Sequence, residues 1–404
     1  MKIAVIFDSI SPESGGNFYQ SLQSAMILNS IQKENKDYIF KFITFNKHSL
    51  NELNKNGLEA SLFKNIKLSK SYYFLNQSPV FKNIFKLLRI KNPFKNYLKK
   101  NEFELVIFLN ASWFIKLCEE VNFIMSSFDI NFKLLNFFPE YLNQDIFISK
   151  DEIMKKSCNQ AFKILVDTNE SKKELINFYR CPPQKIAIQP FSPFLPNLNL
   201  TDAEEPKIDK KILDVVKSQK FLFYPAQFWA HKNHKYIVEA LRILRDKYKT
   251  KINLILCGKD RGNLNFVKKI VSENNLNNQI HFLEFISEQE MIFLYKKCLA
   301  LLNPTYVARS TLLLYEAFYF KIPVFYSKNI LDETLQTYVE VFDLNNYENL
   351  ALKLNEFING KIKFSSKIEA ASKYFSTNCN KNAISENYLN VLNEYKFFRS
   401  KWKY

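Results

Sequence analysis

The chain reads as an α/β protein built from two doubly wound, Rossmann-like domains with parallel sheets. Three observations predict this. Short apolar runs alternate with amphipathic segments of helical period, the order that parallel sheets covered by helices on both faces produce. The pattern restarts after residue 215, beyond a polar, proline-bearing break at SPFLPNLNLTDAEEPKIDK, residues 192–210. A length of 404 residues exceeds one ordinary core but fits two domains of about 150–200 residues each.

In the first half the expected strands are IAVIF (3–7), YIFKFITF (38–45), LVIFLN (105–110), NFIMSS (122–127), KILVDT (163–168) and IAIQP (186–190). In the second they are FLFYPA (221–226), INLILCG (252–258), IHFLEF (280–285), LALLNP (299–304) and IPVFYS (322–327). Segments such as NHKYIVEALRILRDKY (233–248) supply the helices between them. The expected division is a first domain at 1–195, a linker at 196–215 and a second domain at 216–385. A terminal helix within 386–404 would pack back toward the first domain. Two such domains facing a cleft would place strand carboxyl ends, and hence ligand, in that cleft.

Composition excludes several classes. A hydrophobic content of 47% with 16% aromatics rules out wholesale disorder. The cysteines Cys118, Cys158, Cys181, Cys257, Cys298 and Cys379 form no C-x-x-C pair, and Met1-Lys2 leads straight into IAVIF, too short for a secretory apolar region. Reduced thiols and a cytoplasmic setting are therefore expected. No apolar run approaches the ~20 residues that span a bilayer, so a soluble or peripheral protein is expected. The net charge is +17, and residues 61–100 hold ten Lys or Arg and no Asp or Glu. The positive charge is local.

Four stretches are candidates for function. Gly15-Gly16 precedes a helix and lets backbone approach an anion at its N-terminus; a tight turn explains the pair equally. His231-Lys232-Asn233-His234 could be a metal pair, but no carboxylate or thiolate stands near it in sequence. Alternatively Lys232 and Asn233, where strand gives way to helix, could seat a phosphate, or simply begin a solvated helix. In the third stretch, 303–327, Glu316 stands inside a long apolar run, where an ionised carboxylate is costly unless paired. Sugar hydroxyl pairs are a natural partner for it. A surface glutamate would want polar residues at 312, 313 and 320, which are Leu312, Leu313 and Phe320. Arg309, Ser310 and Thr311, just before it, offer a guanidinium, hydroxyls and N–H groups to a diphosphate. Finally, residues 79–100 carry Phe81, Ile84, Phe85 and Leu88 on one face of a lysine-decorated helix. That helix suits either an anionic membrane surface or its own domain. No helix-turn-helix, RNP-like or zinc-finger pattern supports nucleic acid as a partner, and there is no G-x-S-x-G nucleophile motif.

Several pieces together resemble the GT-B glycosyltransferases of family 4, the group 1 retaining enzymes. In order they are the glycines at 15–16, FDINF and PEYL within 128–142, KILVDTNESKKEL (163–175), FYPAQFWAHKNH (223–234), CGKD (257–260) and PTYVARSTLLLYEAFYFKIPVFYS (304–327). YPAQFW-x-HKNH is similar to one branch of that family, and Glu316-Ala317 with Pro323-Val324 is similar to its donor-site ending.

The resemblance implies a nucleoside-diphosphate sugar held mainly by the second domain and a saccharide or lipid-linked saccharide acceptor held by the first. It implies that Lys232 neutralises the diphosphate, assisted by Asn233, Arg309, Ser310 and Thr311, and that Glu316 binds the ribose. Gly15 and Gly16 would lie over the donor phosphates, and Asp129 is the acceptor-side candidate. No metal or other cofactor is expected, because these groups carry the neutralisation. The implied setting is the cytoplasm or the inner face of the membrane, in bacterial surface polysaccharide synthesis. Three positions depart from the family pattern: Gln227 where many members have Arg, Phe128 where a His precedes the Asp, and Ala308 where the first Glu of an E-x7-E pair stands. These departures leave open a catalytically impaired nucleotide-sugar-binding protein or partner subunit. A basic membrane-surface or nucleic-acid adaptor is a further alternative.

Overall fold

The computed structural model describes residues 1–8, 15–193, 208–216, 220–284, 286–307 and 311–402. The chain splits into two compact units. Unit 1 comprises Met1–Lys133, Asn143–Phe194 and Asn380–Tyr404; unit 2 comprises Leu134–Leu142 and Leu195–Cys379.

Unit 1 is organised by a seven-stranded sheet of β1 (Lys2–Phe7), β2 (Ile39–Thr44), β3 (Ala60–Leu62), β4 (Leu105–Phe108), β5 (Asn122–Ser127), β6 (Lys163–Val166) and β7 (Ile186–Ile188). The spatial order is β3-β2-β1-β4-β5-β6-β7, and every neighbouring pair is parallel. Unit 2 holds β8 (Phe221–Pro225), β9 (Asn253–Cys257), β10 (Ile280–Leu283), β11 (Ala300–Asn303), β12 (Val324–Ser327) and β13 (Glu340–Phe342). Their order is β10-β9-β8-β11-β12-β13, again parallel throughout. Both sheets are doubly wound, with the winding reversing at β1/β4 and at β8/β11. Loops leaving those strands diverge, which opens a crevice at their carboxyl ends.

The apolar runs became strands because helices cover both faces: Ile3 to Phe7 and Leu222 to Tyr224 are completely buried. Two strands, β3 and β13, are absent from the sequence expectation. Each is a three-residue edge strand, mostly part-exposed, so neither leaves an apolar run to find. The 79–100 segment is not one helix. It forms Pro79–Leu87 and Pro93–Lys100, separated by Arg89 at φ 55°. Pro93 excludes the helical conformation at Asn92, whose side chain instead accepts from the backbone N–H groups of Phe94 and Lys95.

The helix Lys381–Arg399 completes unit 1. Ile384, Tyr388, Leu392 and Tyr395 join the core of the first sheet. Tyr38 donates its hydroxyl to Asn393 at 2.6 Å and Tyr395 donates to the Glu104 carbonyl at 2.8 Å. Of the expected linker, residues 196–207 lie outside the described residues, and Lys210–Val216 is helical. None of the six cysteines is in a disulfide. Among the described residues no helix is long and apolar enough to cross a membrane.

Candidate active site

In unit 2 the crevice is built from the loops that follow β8 and β11. After β8 the chain makes a short 3-10 turn, Ala230–Lys232, and Asn233 adopts the left-handed conformation (φ 56°) before the helix His234–Asp246 begins. Asparagine tolerates that conformation better than most residues. The two loops are interlocked. The His231 carbonyl accepts from the Tyr306 N–H at 3.0 Å and from the Thr305 hydroxyl at 3.1 Å, and the Asn233 amide donates to the Pro304 carbonyl at 3.1 Å. Tyr224 donates its hydroxyl to the Lys232 carbonyl at 2.9 Å, so the backbone carrying half-buried Lys232 is fixed.

Gly258, after β9, lets its own loop pass close to the loop after β8. A side chain there would place its first carbon 2.5 Å from the Ala226 carbonyl oxygen, and its φ is +153°.

The helix Leu312–Phe320 follows β11, with buried Thr311 at its N-cap. Its first-turn N–H groups lack partners within the helix. Glu316 lies on this helix and accepts the Tyr295 hydroxyl at 2.6 Å. Burial raises the Glu316 carboxyl to about 7, and the Tyr295 hydrogen bond only partly opposes this. Tyr295 is itself buried and stacks on Phe320 at 5.3 Å. A carboxyl in this state gains from hydroxyl donors, which favour its ionised form.

The two histidines of HKNH part company. His234 is completely buried, stacks on Phe228 at 4.5 Å and faces the Ala226 carbonyl at 3.3 Å. Desolvation drives its pKa down to about 3, so it is a neutral core imidazole. His231 instead meets Glu140, whose carboxylate accepts the His231 N–H at 3.1 Å and contacts the ring through Nδ1. The sequence reading found no carboxylate near HKNH; Glu140 of PEYL is that carboxylate, 91 residues away in the chain. Among the described residues no group of three or more His, Cys, Asp or Glu could hold a metal.

In unit 1, Gly15 caps the helix Gly16–Glu34 at φ 69°, a conformation that favours glycine. Its carbonyl accepts from Phe18 and Tyr19. Asp129 follows β5, and one carboxylate oxygen accepts the Asn131 N–H at 3.0 Å, a local turn bond. Phe128 packs edge-on against Phe191 at 5.3 Å. The winding reversal lies instead at β1 and β4, where Asp8 accepts the Ser112 hydroxyl at 2.5 Å. Burial lifts the Asp8 carboxyl to about 6, against the Ser112 hydrogen bond and the charge of Lys70. Asn110 donates to Asn17 close by, at 3.5 Å.

The sequence-predicted residues thus fall into two groups. Lys232, Asn233, Thr311 and Glu316 line the loops and helix start of unit 2, and Gly15, Gly16 and Asp129 belong to unit 1; Arg309 and Ser310, with Ala308, lie outside the described residues. Sequence reasoning missed Asp8, Glu140, Gly258 and Tyr295. Asp8 carried a signal as the first polar residue after an apolar strand beside the predicted glycines, and Glu140 and Gly258 stood inside the PEYL and CGKD pieces without a role assigned to them; Tyr295 carried none.

Residues 206–374 match the family model described as glycosyl transferases group 1. No curated protein sequence matches the chain. A glycosyltransferase from Rickettsia africae shares 17% identity over 97% of this chain and 98% of its own, with a TM-score of 0.68. Anabaena Alr3699/HepE, solved with UDP and glucose, shares 14% identity over 98% and 100%, with a TM-score of 0.69. The lipopolysaccharide outer core galactosyltransferase WaaB in its apo form shares 16% over 98% and 99%, with a TM-score of 0.61. At such identities the likeness concerns the fold, which is GT-B. The two parallel sheets are those of a GT-B protein, and residues 206–374 are similar to the glycosyl transferases group 1.

Proposed function

We propose that the protein transfers a sugar, with retention of configuration, from a nucleoside-diphosphate sugar to a saccharide or lipid-linked saccharide in bacterial surface polysaccharide synthesis. The observation that carries this reading is Glu316, held by Tyr295 with its carboxyl raised to about 7, in a segment of the group 1 family. HepE holding UDP and glucose, and WaaB acting as a galactosyltransferase of lipopolysaccharide, supply the donor and acceptor classes.

In this reading Glu316 accepts the two ribose hydroxyls, and its proton leaves as they bind. Lys232, Asn233, Arg309, Ser310 and Thr311, with the helix start at 311, neutralise the diphosphate. Gly15 and Gly16 add backbone N–H groups. The charge that grows on the departing diphosphate is what these groups stabilise, and such preorganised donors act mainly in the transition state. They leave no step that requires a metal. On the acceptor side Asp8 accepts a hydrogen bond from the attacking hydroxyl and orients it. Asp129, the sequence-based candidate for that role, already spends one oxygen on its own turn.

Thermal unfolding with UDP, GDP, ADP, CMP and TDP, on wild type and Glu316→Ala, tests the reading. A nucleotide at 100 times its dissociation constant adds about 2.7 kcal/mol. Stabilisation of wild type alone by one nucleotide supports the donor site and names the base. No response to any nucleotide would sink it. A nucleotide response without sugar transfer would favour the binding-only subunit, the reading that Phe128 packed on Phe191 suggests.

A further inference from the structure

The helix Pro79–Leu87 buries none of its residues fully. Only Phe85 turns inward, stacking on Tyr72 at 5.2 Å. A nine-residue helix is marginal in water unless its apolar face is covered. Here that face is bare: Val80, Phe81, Ile84, Leu87 and Leu88 recur at helical spacing and all are exposed, Leu87 to 81%. Phe74, on the preceding helix Ile66–Leu75, is exposed too. Nine of the exposed large apolar side chains fall within residues 68–90, which makes them a patch and not scattered surface residues.

The patch is framed by cations. Lys82, Lys86, Arg89 and Lys91 are exposed, and none forms an ion pair among the described residues. Residues 61–100 contain ten Lys or Arg and no acid. This charge selects among occupants. A second copy would set the same acid-free segment against itself, since a two-fold contact pairs like with like. A nucleic acid backbone would match the charge but leave Leu87 and Ile84 nothing to insert into. An anionic bilayer matches both features, with headgroups for the lysines and acyl chains for the apolar stripe.

We propose that residues 66–90 dock unit 1 on an anionic membrane surface, the helix Pro79–Leu87 lying in the headgroup plane. This docking stands apart from the sugar-transfer reading. A lipid-linked acceptor is the substrate class that suits it, and that clause alone rests on the proposed function.

Flotation of the full chain tests the docking, with vesicles of equal parts phosphatidylcholine and phosphatidylglycerol against phosphatidylcholine alone. Wild type is expected to float only with the anionic vesicles. Lys82→Gln/Lys86→Gln/Arg89→Gln is expected to weaken that binding about a hundredfold, and Ile84→Ser/Leu87→Ser/Leu88→Ser to abolish it. Both variants change exposed side chains, and an unaltered thermal transition shows that they fold. No flotation of wild type, or flotation indifferent to both variants, overturns the proposal. So does a lipid-free dimer that the serine variant converts to monomer, since the patch would then be covered by a second copy. Wild type that floats but responds to no nucleotide leaves the docking standing and removes the transferase reading.

Discussion

Tyr295 donates its hydroxyl to the Glu316 carboxylate at 2.6 Å, reaching from a helix that ends just before β11 to the helix that follows it. The bond favours the ionised carboxyl, burial favours the neutral one, and the balance falls at about 7. Nucleotide binding should therefore depend on pH. If ribose hydroxyls bind the anion, affinity weakens about tenfold per unit below pH 7 and levels off above it. Tyr295→Phe keeps the ring stack on Phe320 but removes the donor, so the break should move to higher pH. Titration calorimetry from pH 6 to 8 decides this; a flat profile unchanged in Tyr295→Phe would refute the role of Glu316.

The same shift bears on stability. The Glu316 carboxyl holds its proton more tightly folded than unfolded, so stability falls as pH rises from the ordinary 4.5 through about 7. The loss amounts to up to about 3 kcal/mol, at 1.36 kcal/mol per unit. Glu316→Gln still accepts from Tyr295 without carrying charge. It should be more stable than wild type at pH 8, with the advantage gone at pH 5, as read by urea unfolding at both values.

Gly258→Ala should cost about 2–3 kcal/mol, because the new carbon meets the Ala226 carbonyl in a conformation only glycine adopts readily. At Gly262 φ is +98° but nothing lies within 4 Å of an added carbon. Gly262→Ala should cost only the backbone strain, about 1 kcal/mol. Equal losses in the two variants would mean that the close approach of the β8 and β9 loops is not constrained as described.

Asp8→Asn preserves the partner of Ser112 and removes the charge. Sugar transfer should fall about a hundredfold while the nucleotide response stays as in wild type. Wild-type transfer should rise through about pH 6, where the carboxyl ionises, and the variant should lose that limb. A variant as active as wild type would return the acceptor role to Asp129.

The central strands and the HKNH and Glu316 stretches were legible in the sequence because each is local. Apolar runs mark buried strands, and a lone carboxylate among Leu and Phe marks a group with a partner. The partners themselves were not legible. Glu140 meets His231 and Tyr295 meets Glu316 only once the chain has folded, and neither pair has a fixed spacing. The break at Asn92-Pro93 was readable from proline rules, but the apolar stripe of residues 81–88 has a helical period that carries no mark of a helix end. Phe85 belongs to that stripe by periodicity, but packing turned it onto Tyr72.

Ile384, Tyr388, Leu392 and Tyr395 close the core of a sheet whose last strand, β7, ends at Ile188. On the ribosome those side chains emerge about 200 residues after that strand, roughly 10–40 s later at 5–20 residues per second. Throughout that interval the first sheet has all its strands, but the part of its core that the helix Gly16–Glu34 does not fill stays open. All of unit 2 after the linker is synthesised meanwhile. The nascent first unit therefore stays incomplete until the helix Lys381–Arg399 has been made, and a ribosome stalled before Asn380 would release a chain with one finished half and one sticky half.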